Sequence, residues 1–213
     1  MQREHECFRQ VTFEEIERQH ARLLEEFHPD VVSGRLGMDE ARRVRFRRLF
    51  EHFGVTAADT LSAATATLYR NQYLDARRAT AGAAALLEAV RRHAPVGIVS
   101  NNMLQEQREK LEHCGLAAHV DVLVVSEEAG VSKPDPAIFR IALDALSVRP
   151  EDAVMVGDSW SADVVGARAA GIRAVWFNPL RLPPPEPALA VPELHGLERI
   201  AEALRVLGLV ADP

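Results

Sequence analysis

Apolar positions change their period once along this chain. Up to about residue 78 they recur every three or four residues, as in Phe13, Ile16, Leu23, Leu24 and Phe27 and again in Phe46, Leu49, Phe50 and Phe53. That is the spacing of one buried helix face. Thr12 followed by Glu15 predicts a capping box at the start of the first helix, and His28-Pro29 predicts its end. Further helices are predicted over about residues 38–53, stopping near Gly54, and 57–76. Residues 1–78 thus read as a small helical module.

From about residue 80 the period alternates. AGAAALLEAVRRH precedes the apolar run VGIVS, and LQEQREKLEHC ends at Gly115 before VLVV. PAIFRIALDAL precedes AVMVG, and SADVVGARAA ends at Gly171 before RAVWF. Helical and short apolar segments in turn predict βαβ units, hence an α/β fold with a doubly wound parallel sheet over residues 79–213. Asp135-Pro136 marks a helix start, with the carboxylate as N-cap and proline at the first helical position. The segment LRLPPPEPALAVPE reads as a proline-rich connection leading to a last helix over about residues 197–207.

Composition narrows the function. A net charge of -6 over 213 residues argues against a nucleic-acid binder, which needs a basic stripe. The local exception, ARRVRFRRLFEHF, carries Arg42, Arg43, Arg45, Arg47 and Arg48, and the helical spacing of its apolar residues predicts that these arginines fall mainly on the wet side of a helix, a substrate-phosphate or partner surface being the lesser reading. The longest apolar runs fall far short of the roughly 20 residues a bilayer crossing needs, so no membrane partner is expected. Cys7 and Cys114 show no CxxC spacing, which favours idle thiols in a reducing cytoplasm. His113, Cys114 and His119 lie close in sequence but match no strong metal-ligand spacing.

Candidate chemistry gathers at strand ends, where open parallel sheets bind their ligands. VGIVS ends in Ser100 and Asn101, the loop after VLVV carries Lys133, and AVMVG ends before Asp158, with Asp163 five residues on. Two carboxylates are hard oxygen ligands suited to Mg²⁺ with its waters and a phosphate. Ser100 can donate to a phosphoryl oxygen, and Lys133 can neutralise charge between a carboxylate and that group. Each also has a bland role open to it: Asp163 can favour a helix dipole, Ser100 can satisfy a strand terminus, and Lys133 can be a solvated loop charge.

VGIVSNN, GVSKPDPAIF and VMVGDSWSADVVGARAAGIRAVWF, in that order, resemble the haloacid dehalogenase superfamily, especially its small phosphatases with a helical cap. The resemblance implies a hydrolase of small phosphorylated metabolites working through an aspartyl-phosphate with Mg²⁺; dehalogenation is the lesser expectation. It further implies that Ser100 and Asn101 bind phosphate, that Lys133 stabilises the transferred group and that Asp158 and Asp163 serve the metal. Tyr69, Tyr73 and the arginine run lie in the cap, the part that selects substrates in this family.

One motif of the family is absent. Its nucleophile and acid-base sit in a DxD at the end of a first, central strand, whereas MQREHECFRQVTF contains no aspartate and Asp30 lies among predicted helices. Losing that strand would strand main-chain groups in the interior, at about 1–3 kcal/mol each. The leading expectation is a segment of about one strand and one helix lost upstream of Met1. The alternatives are a non-catalytic phosphate- or Mg²⁺-binding remnant and a partial domain completed by another chain.

Overall fold

The computed structural model describes residues 11–32, 35–56 and 59–210. Cys7 and residues 57–58, where the third helix was expected to begin, lie outside the described residues. The chain divides into two compact units, the first ending at Arg77 and the second beginning at Arg78. Among the described residues no helix is long and apolar enough to cross a membrane.

The first unit contains α1 (Phe13–Val32), α2 (Met38–His52) and α3 (Asp59–Ala76). Thr12 N–H donates to Glu15 Oε2 at 3.0 Å and Glu15 N–H donates to Thr12 Oγ1 at 3.2 Å, the reciprocal pair the sequence predicts. Pro29 does not close α1, which runs one further turn to Val32. A proline so near the end removes little of the ladder, and the extra turn buries Val31. The arginine run follows its expectation only in part: Arg43 and Arg48 are exposed, but Arg42 and Arg45 are buried. They stand four residues before Phe46 and Leu49, on the core side of α2, where their aliphatic stems pack while Arg42 reaches Asp39 at 2.7 Å.

Within this unit His20 sits against Phe46 and Tyr69, ring centroids 5.6 and 5.2 Å away. Its Nε2 is buried without a hydrogen-bond partner among the described residues. Burial, and then the charge of Arg45, lowers its pKa from 6.5 to about 4. The unfolded chain therefore binds a proton that the folded one refuses between those values, so this contribution to stability is complete above pH 6.5 and is lost as pH falls toward 4. With allowance for the ring's partial access to water, the loss is about 1–2 kcal/mol. Denaturant unfolding at pH 7.5 and 4.5 is expected to show it in the parent protein but not in His20→Phe; equal pH dependence in both would refute the assignment.

The second unit opens with α4 (Ala83–Val90), β1 (Gly97–Ser100), α5 (Leu104–His113), β2 (Val122–Val125), α6 (Ser126–Ala129) and α7 (Pro136–Leu146). It continues with β3 (Val154–Gly157), a π-turn (Trp160–Val165), α8 (Gly166–Ala169), β4 (Arg173–Phe177), β5 (Glu193–Leu194) and α9 (Ile200–Leu207). Asp135 caps α7 by accepting from Ala137 N–H at 2.8 Å. The proline-rich connection contains β5, two residues that pair with the end of β4.

All strand pairs are parallel, as the alternating pattern predicts, but they form two sheets: β1-β2 and β3-β4-β5. One core cluster serves both, joining Val124 of β2 and Ala174 and Trp176 of β4 to Ile138 and Phe139 of α7, with Val99 and Met155 packed on it. A second cluster, Leu86, Val175, Leu194, Ala203 and Leu207, lies with α4 and α9. Because Ala174 and Val175 are adjacent in one strand they point to opposite faces, so β4 is covered on both sides.

Candidate active site at the strand ends

The carboxyl end of β1 is held from both sides. Ser100 Oγ donates to Gln107 Oε1 at 3.3 Å, and Asn102 Nδ2 donates to the same oxygen at 3.2 Å, so the buried Gln107 of α5 organises the loop. Asn101 pairs reciprocally with the main chain of Lys133: its Nδ2 donates to Lys133 O at 2.9 Å and its Oδ1 accepts from Lys133 N–H at 2.7 Å. Two adjacent bonds of this kind fix the loop before α7 against the end of β1.

Lys133 then reaches inward. Its ammonium donates to Val99 O and to Asp163 Oδ1, each at 2.7 Å, and the ion pair is largely dry, with 12% of the Lys133 side chain and 6% of the Asp163 side chain exposed. The other carboxylate oxygen, Asp163 Oδ2, accepts from Ser159 N–H at 3.0 Å. Ser159 caps the π-turn by accepting from Ala162 N–H at 3.2 Å. The helical segment therefore begins at Trp160, and an amide just before it is spent on Asp163.

Asp158 differs. It is exposed, and its main-chain carbonyl accepts from Trp176 Nε1 at 3.0 Å, which ties the end of β3 to β4 while the carboxylate stays in water. Trp176 in turn stacks edge-on against Trp160, centroids 5.0 Å apart. The structure thus joins Asn101, Lys133 and Asp163 by direct bonds. The side chains of Ser100 and Asp158 make no direct bond to these three among the described residues: Ser100 adjoins Asn101 in the chain, and Asp158 precedes Ser159. Gln107, Ser159 and Gly157 were not singled out from sequence; a glutamine on a helix or a glycine before an aspartate carries no signal until its neighbour is known.

Among the described residues no group of three or more His, Cys, Asp or Glu stands together. A divalent cation here would rest on the two carboxylates, with water and a ligand oxygen completing its shell. That donor set suits magnesium, which keeps several waters and takes one or two carboxylates. The exposed Asp158 is the open donor of the two, since both oxygens of Asp163 already accept a hydrogen bond.

Residues 3–171 match the sequence family described as haloacid dehalogenase-like hydrolase. The chain is 48% identical over 122 residues to a phosphoserine phosphatase of Thermus thermophilus, covering 56% of this chain and 49% of the relative. It is 39% identical over 123 residues to the pyrimidine 5'-nucleotidase YjjG of Escherichia coli, covering 56% and 55%. The matched part therefore spans about half the length of these relatives. In three dimensions the chain resembles the HAD-hydrolase YfnB of Bacillus subtilis, solved bound to magnesium, with a TM-score of 0.72, 23% identity and coverage of 95% of this chain and 87% of that one.

Proposed function

The chain belongs to the haloacid dehalogenase-like hydrolases, and on that premise we propose that the ends of β1 and β3 form the phosphoryl- and magnesium-binding side of a phosphatase acting on a small phosphorylated metabolite in the cytoplasm. The observation that carries this reading is the desolvated Lys133–Asp163 pair fastened to the ends of both half-sheets. An ammonium has three donors, and two are used, so one remains for an anion. In this reading the Ser100 hydroxyl turns from Gln107 Oε1 to donate to a phosphoryl oxygen, the Asn101 loop receives others, and Lys133 balances their charge. Asp163 holds Lys133 in place and stands second to Asp158 as a magnesium donor. When bound, magnesium would supply charge neutralisation at the phosphoryl oxygens. The phosphoserine and nucleotide named for the two relatives are both phosphate monoesters, which supports that substrate class.

In this reading these residues bind and neutralise, while the DxD that supplies the nucleophile in the family does not occur in MQREHECFRQVTF. The chain Met1–Pro213 is therefore expected to bind inorganic phosphate more tightly with Mg²⁺ present, yet to hydrolyse p-nitrophenyl phosphate little or not at all. Calorimetric titration tests the first part. Asp158→Asn should abolish the Mg²⁺ effect and, since the side chain is exposed, leave stability within about 0.5 kcal/mol. Phosphate binding indifferent to Mg²⁺ and to Asp158→Asn would remove the metal assignment, and robust Mg²⁺-dependent turnover would overturn the second part.

A further inference from the structure

Helix α5 buries two residues, Gln107 and Leu111, four positions apart on one face. Leucine is the ordinary choice for such a position; a buried amide oxygen costs stability unless it accepts a hydrogen bond. Gln107 Oε1 accepts two, from Ser100 Oγ at 3.3 Å and from Asn102 Nδ2 at 3.2 Å. A third bond dictates the direction of both. Asn102 Oδ1 accepts from Met103 N–H at 2.8 Å, so its Nδ2 is what faces Gln107, and the atom it meets there is the oxygen. The Ser100 hydrogen must then point to that oxygen as well.

The rest of this loop is fastened. Asn101 is clamped to the main chain of Lys133, Asn102 O accepts from the buried Ser126 Oγ at 3.4 Å, and Leu104 N–H donates to Glu127 Oε2 at 2.8 Å. The Ser100 hydroxyl is the donor that can move, since it turns about its own C–O bond. Its bond to Gln107, at 3.3 Å, is about 0.5 Å longer than a usual O–H···O bond and is easily given up. A charged oxygen is a better acceptor than an amide oxygen, so an anion at the end of β1 takes the hydrogen.

Resting on the phosphate-binding reading above, we infer that Gln107 and Asn102 are a pair of positioning residues for Ser100. Gln107 Oε1 holds the Ser100 hydrogen in the free protein, and Asn102 keeps that oxygen satisfied once an anion has drawn the hydrogen away. Two donors on one acceptor make the exchange possible at low cost. With Ser100 as the single donor, its turn toward the anion would strand a buried oxygen. The ligand class follows from the same competition: a phosphoryl dianion wins the hydrogen from Gln107, whereas a neutral oxygen of the same shape gains nothing over it.

Calorimetric titration of the full chain with inorganic phosphate, at saturating Mg²⁺, tests this. Asn102→Ala should weaken phosphate binding roughly 5-fold, the lower end of what a stranded buried oxygen costs. Adding Gln107→Leu should bring affinity back to within about 2-fold of the parent, because no oxygen is left to strand. Simple damage to the loop predicts the reverse, a double variant weaker than either single one. In a Ser100→Ala background Asn102→Ala should change nothing, since the Gln107 oxygen then has the same partners with and without phosphate. Urea unfolding shows which variants fold, and if those carrying Gln107→Leu do not, the Ser100→Ala arm decides the question. Parent-like affinity in Ser100→Ala would remove Ser100 from the phosphate site, and the inference with it. If Ser100→Ala weakens binding while Asn102→Ala is silent, or the Asn102→Ala loss persists beside Gln107→Leu or Ser100→Ala, the phosphate reading stands and the positioning role is overturned.

Discussion

Lys133→Met is expected to destabilise the second unit by about 3–5 kcal/mol, the cost of leaving one member of a buried ion pair alone. Methionine fills much of the space of the lysine stem but returns neither hydrogen bond. Asp163 would keep a single donor, Ser159 N–H, for a carboxylate that is almost wholly out of water, and Val99 O would lose its partner. Both tryptophans of the chain, Trp160 and Trp176, lie in the second unit, so their fluorescence during urea unfolding reads this unit alone. Adding Asp163→Asn should recover part of the loss, because the unpaired charge is then gone; a coupling of about 1–3 kcal/mol between the two changes is expected. Phosphate binding should stay lost in the double variant even as stability returns, which separates the binding role of Lys133 from its structural one. A single-variant cost below about 1 kcal/mol would mean the pair is screened by water like a surface bridge.

What could be read from the sequence was whatever depends on near neighbours. The span RAVWF coincides with β4, Asp135 caps α7, and Thr12 and Glu15 cap α1, because each is decided by residues within a few positions. What escaped depends on partners far along the chain. Arg42 and Arg45 look solvated by charge, but their burial depends on how α2 packs against α1 and α3. β5 hides among prolines because what makes it a strand is its pairing with the edge of β4, and two residues show no period. At the candidate site the polar residue types were legible while their connections were not: that Asn101 grips the main chain of Lys133, or that Gln107 serves Ser100 and Asn102 together, follows from a fold that brings segments 5 to 32 residues apart into contact. The parallel order of strands could be inferred from their alternation with helices, whereas the break between β1 and β3 is a matter of pairing that no single strand displays.

Gly157→Ala should be nearly as damaging as the loss of Lys133, for a reason that has nothing to do with backbone freedom. Gly157 ends β3 and is not among the glycines with positive φ, so alanine could adopt its conformation. The obstacle is Asp163: a Cβ at position 157 would stand inside the van der Waals envelope of that carboxylate. Asp163 cannot swing aside freely, since one oxygen is held by Lys133 and the other by Ser159 N–H. Overpacking a tight site costs about 1–3 kcal/mol, and displacing the carboxylate also weakens two charge-assisted bonds, so a total of about 2–4 kcal/mol is expected. Gly97, the matching glycine at the start of β1, is the control. A Cβ there would meet Leu146 Cδ1 at 2.9 Å, the tip of a flexible side chain that can move away, and Gly97→Ala should cost at least about 1 kcal/mol less. The two variants also part in function: Gly157→Ala shifts the Lys133–Asp163 pair and should weaken Mg²⁺-dependent phosphate binding, while Gly97→Ala should leave it intact. Equal stability of the two variants would mean that Asp163 is free to move, and with it Lys133, which would remove the rigid pair on which the phosphate-binding reading depends.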